Sequence, residues 1–348
     1  MRQVNCYLKR QILLLFIFAA VLINSGFAQD VQDRTKWMKE AKWGVMTHYL
    51  ADLSTQVGKE QMSVENWNQI IDHFDVEGLA KQLESVGAGY YLITIGQNSG
   101  YYLAPNATYD KLVGIQPSKC SRRDLVSDLY EALNKQGVKL IVYLPSGAPA
   151  GDQIAVKALE WENGPHRNLQ FQLKWEQVIR EWSTRWGTKV AGWWFDGCYW
   201  SNTMYRCVEP PNFASFAASA RAGNPQSVIA FNPGVVDRVL SITPFEDYTA
   251  GETNELEKTL LRRTVNGKVD GARIHKLSYL GQMWGTGEPR YKDLNDVAIP
   301  WSRKIVDAGG VITWDVPIQK SGLITQPFID QLATIGKALD SRSHTNRK

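Results

Sequence analysis

The chain has 348 residues, of which 44% are hydrophobic and 21% are charged, values typical of a soluble globular protein. This length fits one large domain, since α/β barrels of about 250 residues or more form single domains. The formal net charge of +4 is small for this length and excludes the strongly basic surface of a nucleic-acid-binding protein.

The first 28 residues have the pattern of an export signal. Three basic residues precede or border a short apolar run over 12–23, and Gly26 and Ala28 supply the small residues that cleavage requires. We predict a signal peptide over 1–28, so that the mature protein is secreted or periplasmic; an uncleaved membrane anchor is the alternative. The segment contains no acidic residue, so the remaining chain is close to neutral.

From residue 43 onward, apolar strand-like runs alternate with amphipathic helical stretches. The predicted strands are 43–49, 90–95, 138–144, 190–196, 227–231, a weaker 245–249, 276–284 and 310–316. The predicted helices cover 76–86, 121 or 122 to 136, 168–186, 212–221, 293–308 and 326–339. Such alternation implies parallel strands with right-handed crossovers.

Eight strand–helix units predict a (β/α)8 TIM-like barrel, with a single catalytic domain over 29–340 and a polar tail over 341–348. The alternative is an open, doubly wound sheet. That alternative is weakened because no glycine-rich phosphate loop follows the first strand. The sequence does not predict an oligomeric state.

Each predicted strand has an apolar body and a polar end. These ends carry His48, Gln97 with Asn98, Tyr143, Asp196, Asn232 with Asp237, Glu246 with Asp247 and Glu252, Trp284, and Asp315. The carboxyl ends of barrel strands meet at one face, where the chemistry of such enzymes lies. Paired carboxylates among aromatic and amide side chains are what glycoside hydrolysis requires, so we predict a carbohydrate substrate.

Asp196 is the central catalytic candidate, because it follows a bulky apolar strand and precedes a glycine that allows an immediate turn. A cap on the following segment is the structural alternative for it. Glu252 is the best candidate for the acid/base. Glu246, Glu255 and Asp315 compete with it for that role.

The predicted sugar-binding residues are His48, Gln97, Asn98, Tyr143, Trp194, Trp284 and Asp315. We expect no cofactor and no metal, because carboxylate chemistry needs neither and no Cys/His spacing fits a zinc site. We expect no nucleic-acid partner and no membrane association beyond export. Cys198 and Cys207 are close enough in sequence to form a disulfide, and a buried free thiol is the alternative.

Several motifs resemble, in order, those of glycoside hydrolase family 29, the α-L-fucosidase family. Residues 43–48 resemble its opening Phe-Gly-x-Phe-x-His, residues 194–197 (Trp-Phe-Asp-Gly) its nucleophile segment, and residues 282–285 its Ser-Trp-Gly-Tyr element. Residues 79–95, 123–143 and 308–336 resemble its helix-to-strand passages and closing segment. The resemblance runs from about residue 37 to residue 339 and concerns the catalytic barrel.

This resemblance implies a retaining exo-glycosidase, with Asp196 as nucleophile and Glu252 as acid/base. One departure concerns the sugar. Residues 96–101 read Gly-Gln-Asn-Ser-Gly-Tyr where the family has Lys-His-His-Asp-Gly-Phe, which changes the pattern of hydrogen-bond donors. The sugar is therefore L-fucose or a related one. The alternatives are a glycosidase of the same fold with another sugar specificity and a catalytically decayed carbohydrate-binding barrel.

Overall fold

A computed structural model describes residues 33–52, 62–261 and 264–340. The predicted signal peptide 1–28 and polar tail 341–348 lie outside these described residues. The strands are β1 (Trp43–Thr47), β2 (Tyr90–Thr94), β3 (Lys139–Pro145), β4 (Gly192–Asp196), β5 (Val228–Phe231), β6 (Lys268–Val269), β7 (Ala272–Arg273), β8 (His275–Tyr279) and β9 (Val311–Asp315).

The helices alternate with these strands. They are α1 (Lys36–Ala41), α2 (Val64–Asp72), α3 (Val76–Ser85), α4 (Ala107–Val113), α5 (Leu125–Lys135), α6 (Gln153–Leu159), α7 (Leu169–Trp186), α8 (Ser201–Met204), α9 (Phe213–Ala220), α10 (Ala298–Asp307) and α11 (Gln326–Asp340). Single turns of 3-10 helix cover Gly187–Lys189 and Leu256–Lys258. In the described ranges, none of these helices is long and apolar enough to cross a membrane.

Seven strands form one parallel sheet in the order β5-β4-β3-β2-β1-β9-β8, and β6 pairs with β7 as a short antiparallel ribbon. Each helical connection returns the chain to a parallel neighbour, as βαβ units do. The sheet is curled within a single α/β unit that starts at Thr35, which confirms the predicted barrel class. Seven of the eight predicted strands belong to this sheet.

The predicted sixth strand, 245–249, is wrong as a regular strand. Its backbone nevertheless bonds to edge strand β5 of the curled sheet and to β7 of the short ribbon. The N–H of Asp247 donates to the carbonyl of Ile229 in β5, and the N–H of Thr249 donates to the carbonyl of Arg273 in β7. Gly251 has a φ of +71°, which extended backbone does not allow, so the regular ladder is interrupted. The segment thus occupies the sixth barrel position in irregular form.

Side chains alternate between the barrel interior and the layer of helices, as the two-residue period of strands requires. In β2, Tyr90 and Leu92 belong to the interior cluster, whereas Tyr91 and Ile93 belong to the outer one. Trp194 of β4 likewise points inward. The barrel interior is therefore filled with side chains, and space for a ligand remains at the strand ends.

Two helices start later than predicted, because side-chain hydrogen bonds hold the residues near their starts in other local structures. α5 begins at Leu125 because the carboxylate of Asp124 accepts the N–H of Ser127 at 3.1 Å. α10 begins at Ala298, later than predicted, because Asp293 accepts the N–H of Asn295 and holds a turn there. Such local hydrogen bonds compete with helix formation.

Candidate active site

A cavity of about 210 Å³ lies at the carboxyl ends of the barrel strands. It is lined by Met46, His48, Leu50, Asp52, Gln97, Tyr143, Trp194, Asp196, Glu252 and Trp284. Both predicted catalytic residues and most of the predicted sugar-binding residues are therefore brought together at one place. Parallel pairing produces this result, because it puts every strand end at the same face of the barrel.

Three donors fix the carboxylate of Asp196. The hydroxyl of Tyr143 donates to Oδ2 at 2.6 Å, the Nδ2 of Asn232 donates to Oδ1 at 2.7 Å, and the backbone N–H of Gly197 donates to Oδ1 at 2.8 Å. Gly197 has a φ of +83°, a conformation natural to glycine, and this turn lets the chain leave β4 at once. The carboxylate is held in one orientation at the floor of the cavity.

Asn232 connects the two catalytic candidates. Its Nδ2 also donates to Oε2 of Glu252 at 2.6 Å, so one nitrogen contacts an oxygen of each carboxylate. The separation of those two oxygens is therefore no larger than the two bond distances combined. Oδ1 of Asn232 accepts the N–H of Gly234 at 3.1 Å, which fixes the orientation of the amide.

The environment of Glu252 favours its protonated form. Burial raises the pKa of Glu252 to about 7, and the negative charge of Asp196 adds to the effect, although the Asn232 hydrogen bond opposes it. A carboxyl group with this pKa is able to carry a proton near neutral pH. When two adjacent carboxyl groups have different environments, their pKa values differ, so that one is able to act as the acid and the other as the nucleophile.

The two acidic residues that compete with Glu252 in this region, Glu246 and Glu255, make hydrogen bonds and ion pairs outside the cavity. Glu246 is buried and accepts backbone N–H groups of Ile242 at 2.7 Å and Phe231 at 3.3 Å. Glu255 is exposed and pairs with Lys258 at 2.9 Å. Neither lines the cavity, which leaves Glu252 as the acidic residue of this loop that faces Asp196.

Asp315 lies behind His48 rather than in the cavity. Its side chain has no exposed surface, and its Oδ1 lies 2.9 Å from Nδ1 of His48. Its Oδ2 accepts the N–H of Gly285 at 2.6 Å. Burial lowers the pKa of His48, but the charge and hydrogen bond of Asp315, together with the charges of Asp196 and Glu252, outweigh this effect, and the pKa ends above its usual value. Asp315 therefore orients and charges His48, which itself faces the cavity.

Aromatic rings form two walls of the cavity. Tyr143 stacks on Trp194 with ring centroids 5.2 Å apart, and Trp284 lies 6.1 Å from His48. The predicted strand 276–284 ends early, at Tyr279, and a turn then carries Trp284 to the cavity. Its indole N–H donates to Asn254 at 3.2 Å.

The structure separates the two amides of the segment after β2. The Nε2 of Gln97 donates to the hydroxyl of Tyr143 at 2.6 Å, and Gln97 lines the cavity. Asn98 is exposed and lies outside the lining. Of this predicted pair, Gln97 alone is placed to contact a bound sugar directly.

Three further polar residues near the site were missed or not ranked by sequence reasoning. Asn232 was visible at the end of its strand, but its contact with both carboxylates depends on the fold. Asp52 lines the cavity. Lys276 is fully buried, with its ammonium donating to the carbonyl of Val236 at 3.1 Å. Burial lowers the pKa of Lys276 to about 8, while the charges of Asp237 and Glu252 oppose that shift.

Of the two possibilities that the sequence leaves open for Cys198 and Cys207, the structure shows free thiols rather than a disulfide. Cys198 and Cys207 are both free, and Cys198 is fully buried. The chain leaving Gly197 turns Cys198 inward, where its N–H donates to the carbonyl of Asn232. Among the described residues, no three His, Cys, Asp or Glu side chains are grouped so that they could hold a metal ion.

A parallel α/β barrel with two adjacent carboxylates at its carboxyl-end face is the architecture of a glycoside hydrolase. The family model described as Alpha-L-fucosidase matches residues 64–343. The chain therefore belongs to the α-L-fucosidase family, a family of glycoside hydrolases, and the resemblance found in its sequence is confirmed. A comparison with curated protein sequences finds no match.

Solved structures show the same fold. The chain is similar to the endo-fucoidan hydrolase MfFcnA4 of glycoside hydrolase family 107, with 18% identity and a TM-score of 0.67 over 88% of this chain and 53% of that one. It therefore spans about half the length of that protein. A second family 107 enzyme, P5AFcnA, gives 17% identity and a TM-score of 0.66 over 89% of this chain and 94% of that one.

An α-L-fucosidase from Lactobacillus casei, AlfC, solved with its α-L-fucose product, gives 16% identity and a TM-score of 0.60. The match covers 90% of this chain and 100% of that one. At these identities the likeness concerns the fold.

Proposed function

We propose that this protein is a retaining exo-glycosidase that removes α-linked L-fucose, or a closely related sugar, from oligosaccharides or polysaccharides. The observation that carries the proposal is the amide of Asn232, which contacts Asp196 and Glu252 through one nitrogen. This contact brings the two carboxylates close together. Retaining enzymes hold their carboxyl groups about 5–5.5 Å apart, whereas inverting enzymes need about 6.5–9.5 Å to admit a water molecule.

In the first step, a carboxylate oxygen of Asp196 attacks the anomeric carbon and forms a covalent ester. The bond from that carbon to the glycosidic oxygen breaks, and Glu252 gives its proton to the leaving oxygen. The pKa of about 7 for Glu252 suits this role, because the group is protonated when the substrate binds.

In the second step, Glu252 takes a proton from water as the water oxygen attacks the anomeric carbon. The ester bond to Asp196 breaks, and the sugar leaves with its original configuration. The charge of Asp196 disappears while the ester exists, which lowers the pKa of Glu252 between the two steps. Glu252 is then better suited to act as the base.

The small cavity supports removal of single sugar units. Its volume of about 210 Å³ is below the 300–1,000 Å³ of pockets that hold drug-sized ligands, so it has room for about one sugar ring. His48 and Gln97 present polar groups to the hydroxyls of such a ring, and Trp284 presents an apolar face. These features support an exo mode of action on a carbohydrate partner.

A panel of aryl α- and β-glycosides tests the proposal, with the anomeric configuration of the first product followed by proton NMR. We expect hydrolysis of the α-L-fucoside with retention. Inversion would overturn the mechanism. Binding of sugars without hydrolysis of any substrate would favour a catalytically decayed carbohydrate-binding barrel.

A second candidate is a glycosidase of the same mechanism with a different sugar specificity. Gln97 favours it, because one N–H of its amide is engaged by Tyr143, and the remaining N–H and the carbonyl oxygen offer a sugar a different set of donors and acceptors from the histidines of the family motif. Preferential hydrolysis of another glycoside in the same panel would support this candidate.

The predicted signal peptide bears on the cellular location of the enzyme. We propose that the enzyme acts outside the cytoplasm, because residues 1–28 have the composition of a cleaved export signal. Mass spectrometry of the protein recovered from its native host should find a chain that begins at Gln29. An intact amino terminus on a cytoplasmic protein would contradict this location.

A further inference from the structure

Two neighbouring aromatic side chains are exposed directly after the strand that carries Asp196. Tyr199 is 54% exposed and Trp200 is 36% exposed. Both lie in the loop that leads into the short helix α8. Their rings meet edge to face, with centroids 6.2 Å apart and an interplanar angle of 82°. Neighbouring exposed aromatic rings form an apolar surface, and such surfaces mark binding sites when they lie near a catalytic centre.

Tyr199 lies next to the carboxylate pair without lining the cavity. Its ring packs on Gly234, where an added Cβ would come within 3.2 Å of Cε1. The N–H of Gly234 in turn donates to Asn232, whose amide contacts both carboxylates. Gly234 has a φ of +97° and no side chain, and this bare backbone is what the ring rests on.

The electrostatic surroundings agree with this position. Partial burial raises the pKa of the Tyr199 hydroxyl, and the negative charges of Asp196 and Glu252 raise it further. The phenol is thus within electrostatic reach of both catalytic carboxylates. More than half of the residue remains exposed to solvent.

An oligosaccharide substrate is longer than the cavity. The cavity has room for about one sugar, so the part of the substrate beyond the bond to be cleaved lies outside it. Glu252 has to meet the glycosidic oxygen, which places the next sugar on the side of the carboxylate pair. Tyr199 is an exposed aromatic residue whose ring packs on Gly234, two residues from the Asn232 that contacts both carboxylates.

From this geometry we infer that Tyr199, braced by Trp200, forms a binding site for the sugar on the leaving-group side of the cleaved bond. The inference rests on the proposed function and extends it to a second subsite. The C–H face of a sugar ring is apolar and packs on an aromatic face, while its hydroxyl rim stays in water. A ligand of this class is a neutral sugar joined to fucose, rather than a simple alcohol.

Two substrates that differ only in the leaving group test the inference. α-L-Fucosyl fluoride has a leaving group too small to reach Tyr199, whereas a disaccharide with α-linked L-fucose has a second sugar ring. The measured quantity is the ratio of kcat/KM for the disaccharide to kcat/KM for the fluoride. This ratio does not depend on how much of a variant is folded, because both values scale with active enzyme.

We expect Tyr199→Ala to lower the ratio by about three- to tenfold, as loss of one aromatic contact implies. Tyr199→Phe should keep the ratio within about twofold of the parent value, since the ring remains. Phe245→Ala is the matched control. Phe245 is 42% exposed, but its carbonyl accepts from Arg221 near the amino end of β5, away from the cavity.

An unchanged ratio in Tyr199→Ala would overturn the inference while leaving the proposed function intact. An equal fall in Phe245→Ala would also overturn it, because the effect would then not be local. If the parent enzyme hydrolyses neither substrate, the proposed function fails and the subsite fails with it.

Discussion

The imidazole of His48 lies 2.9 Å from the carboxylate of Asp315, a side chain with no exposed surface. His48 directly follows β1 and Asp315 is the last residue of β9, and these two strands pair in parallel register. Because Nδ1 of His48 is engaged by Asp315, its other ring nitrogen is available to the cavity. The pair therefore links a buried charge to a group that is placed to bind sugar.

Replacing Asp315 by Asn should destabilise the protein in a pH-dependent way. The pKa of His48 is raised in the folded state, so the stabilisation is fully present below its unfolded value of about 6.5 and is lost as pH rises through the folded value. We expect Asp315→Asn to cost about 1–3 kcal/mol of unfolding free energy near pH 6 and less near pH 9. Urea denaturation at several pH values measures this.

Asp152→Asn is the control for that experiment. Asp152 is also buried, and its carboxylate lies 2.6 Å from Lys119. Its partner is a lysine, a residue type that stays charged between about pH 6 and pH 9. The cost of Asp152→Asn should therefore vary less with pH. A cost of Asp315→Asn that is constant over this range would contradict a titrating His48–Asp315 pair.

Replacing Glu252 by Gln should remove the acid. Because the pKa of Glu252 is about 7, the parent kcat/KM on a fucosyl disaccharide should fall as pH rises through that value. The kcat/KM of Glu252→Gln on the disaccharide should be about 10²- to 10⁴-fold below that of the parent and should lack this fall with rising pH. It should fall much less on α-L-fucosyl fluoride, whose leaving group needs no proton. Glu255→Gln, three residues away at the surface, should retain the parent profile.

Replacing Asp196 by Ala should abolish formation of the glycosyl-enzyme. We expect kcat/KM to fall by about 10⁴-fold or more, as for removal of other nucleophiles. Added azide should rescue an activated α-fucoside by direct attack and give the β-fucosyl azide. The same azide with Glu252→Gln should give the α-fucosyl azide, because Asp196 still acts first. Identical azide anomers from the two variants would contradict the assigned roles.

Replacing Asn232 by Ala should shift the pH profile and slow the reaction. Its hydrogen bond to Glu252 lowers the pKa of that group, so removal should raise the pKa and move the basic limb to higher pH. Asp196 also loses a donor, and we expect kcat/KM to fall by about ten- to hundredfold on the plateau. Asn254→Ala, which removes only the partner of the Trp284 indole, should leave the basic limb in place.

Much of the fold could be predicted from the sequence, because buried parallel strands have dense apolar runs with clear glycine and proline boundaries. The segment 245–249 escaped this approach. Its backbone bonds to edge strand β5 and to ribbon strand β7 without regular strand geometry, and Asp247 uses its carboxylate to accept the N–H of Ile229. The sequence pattern of apolar and polar residues does not show where the backbone bonds outside a regular strand, or where a carboxylate accepts a backbone N–H. The sequence likewise left open whether Cys198 and Cys207 form a disulfide, since short sequence separation does not fix the direction of a side chain; in the structure both thiols are free.

The sequence by itself determined the barrel class, the family and the set of polar strand ends from which the site is built. Those features depend on local periodicity and on short motifs, and each of these lies within one short segment of the chain. Tertiary structure alone decided which carboxylate meets Asp196. It placed Asp315 behind His48 and set Asn232 between Asp196 and Glu252. It also directed the carboxylate of Glu246 toward a backbone N–H group. These relationships join residues far apart in the chain, and they exist only because parallel strands bring their ends to one face of the barrel.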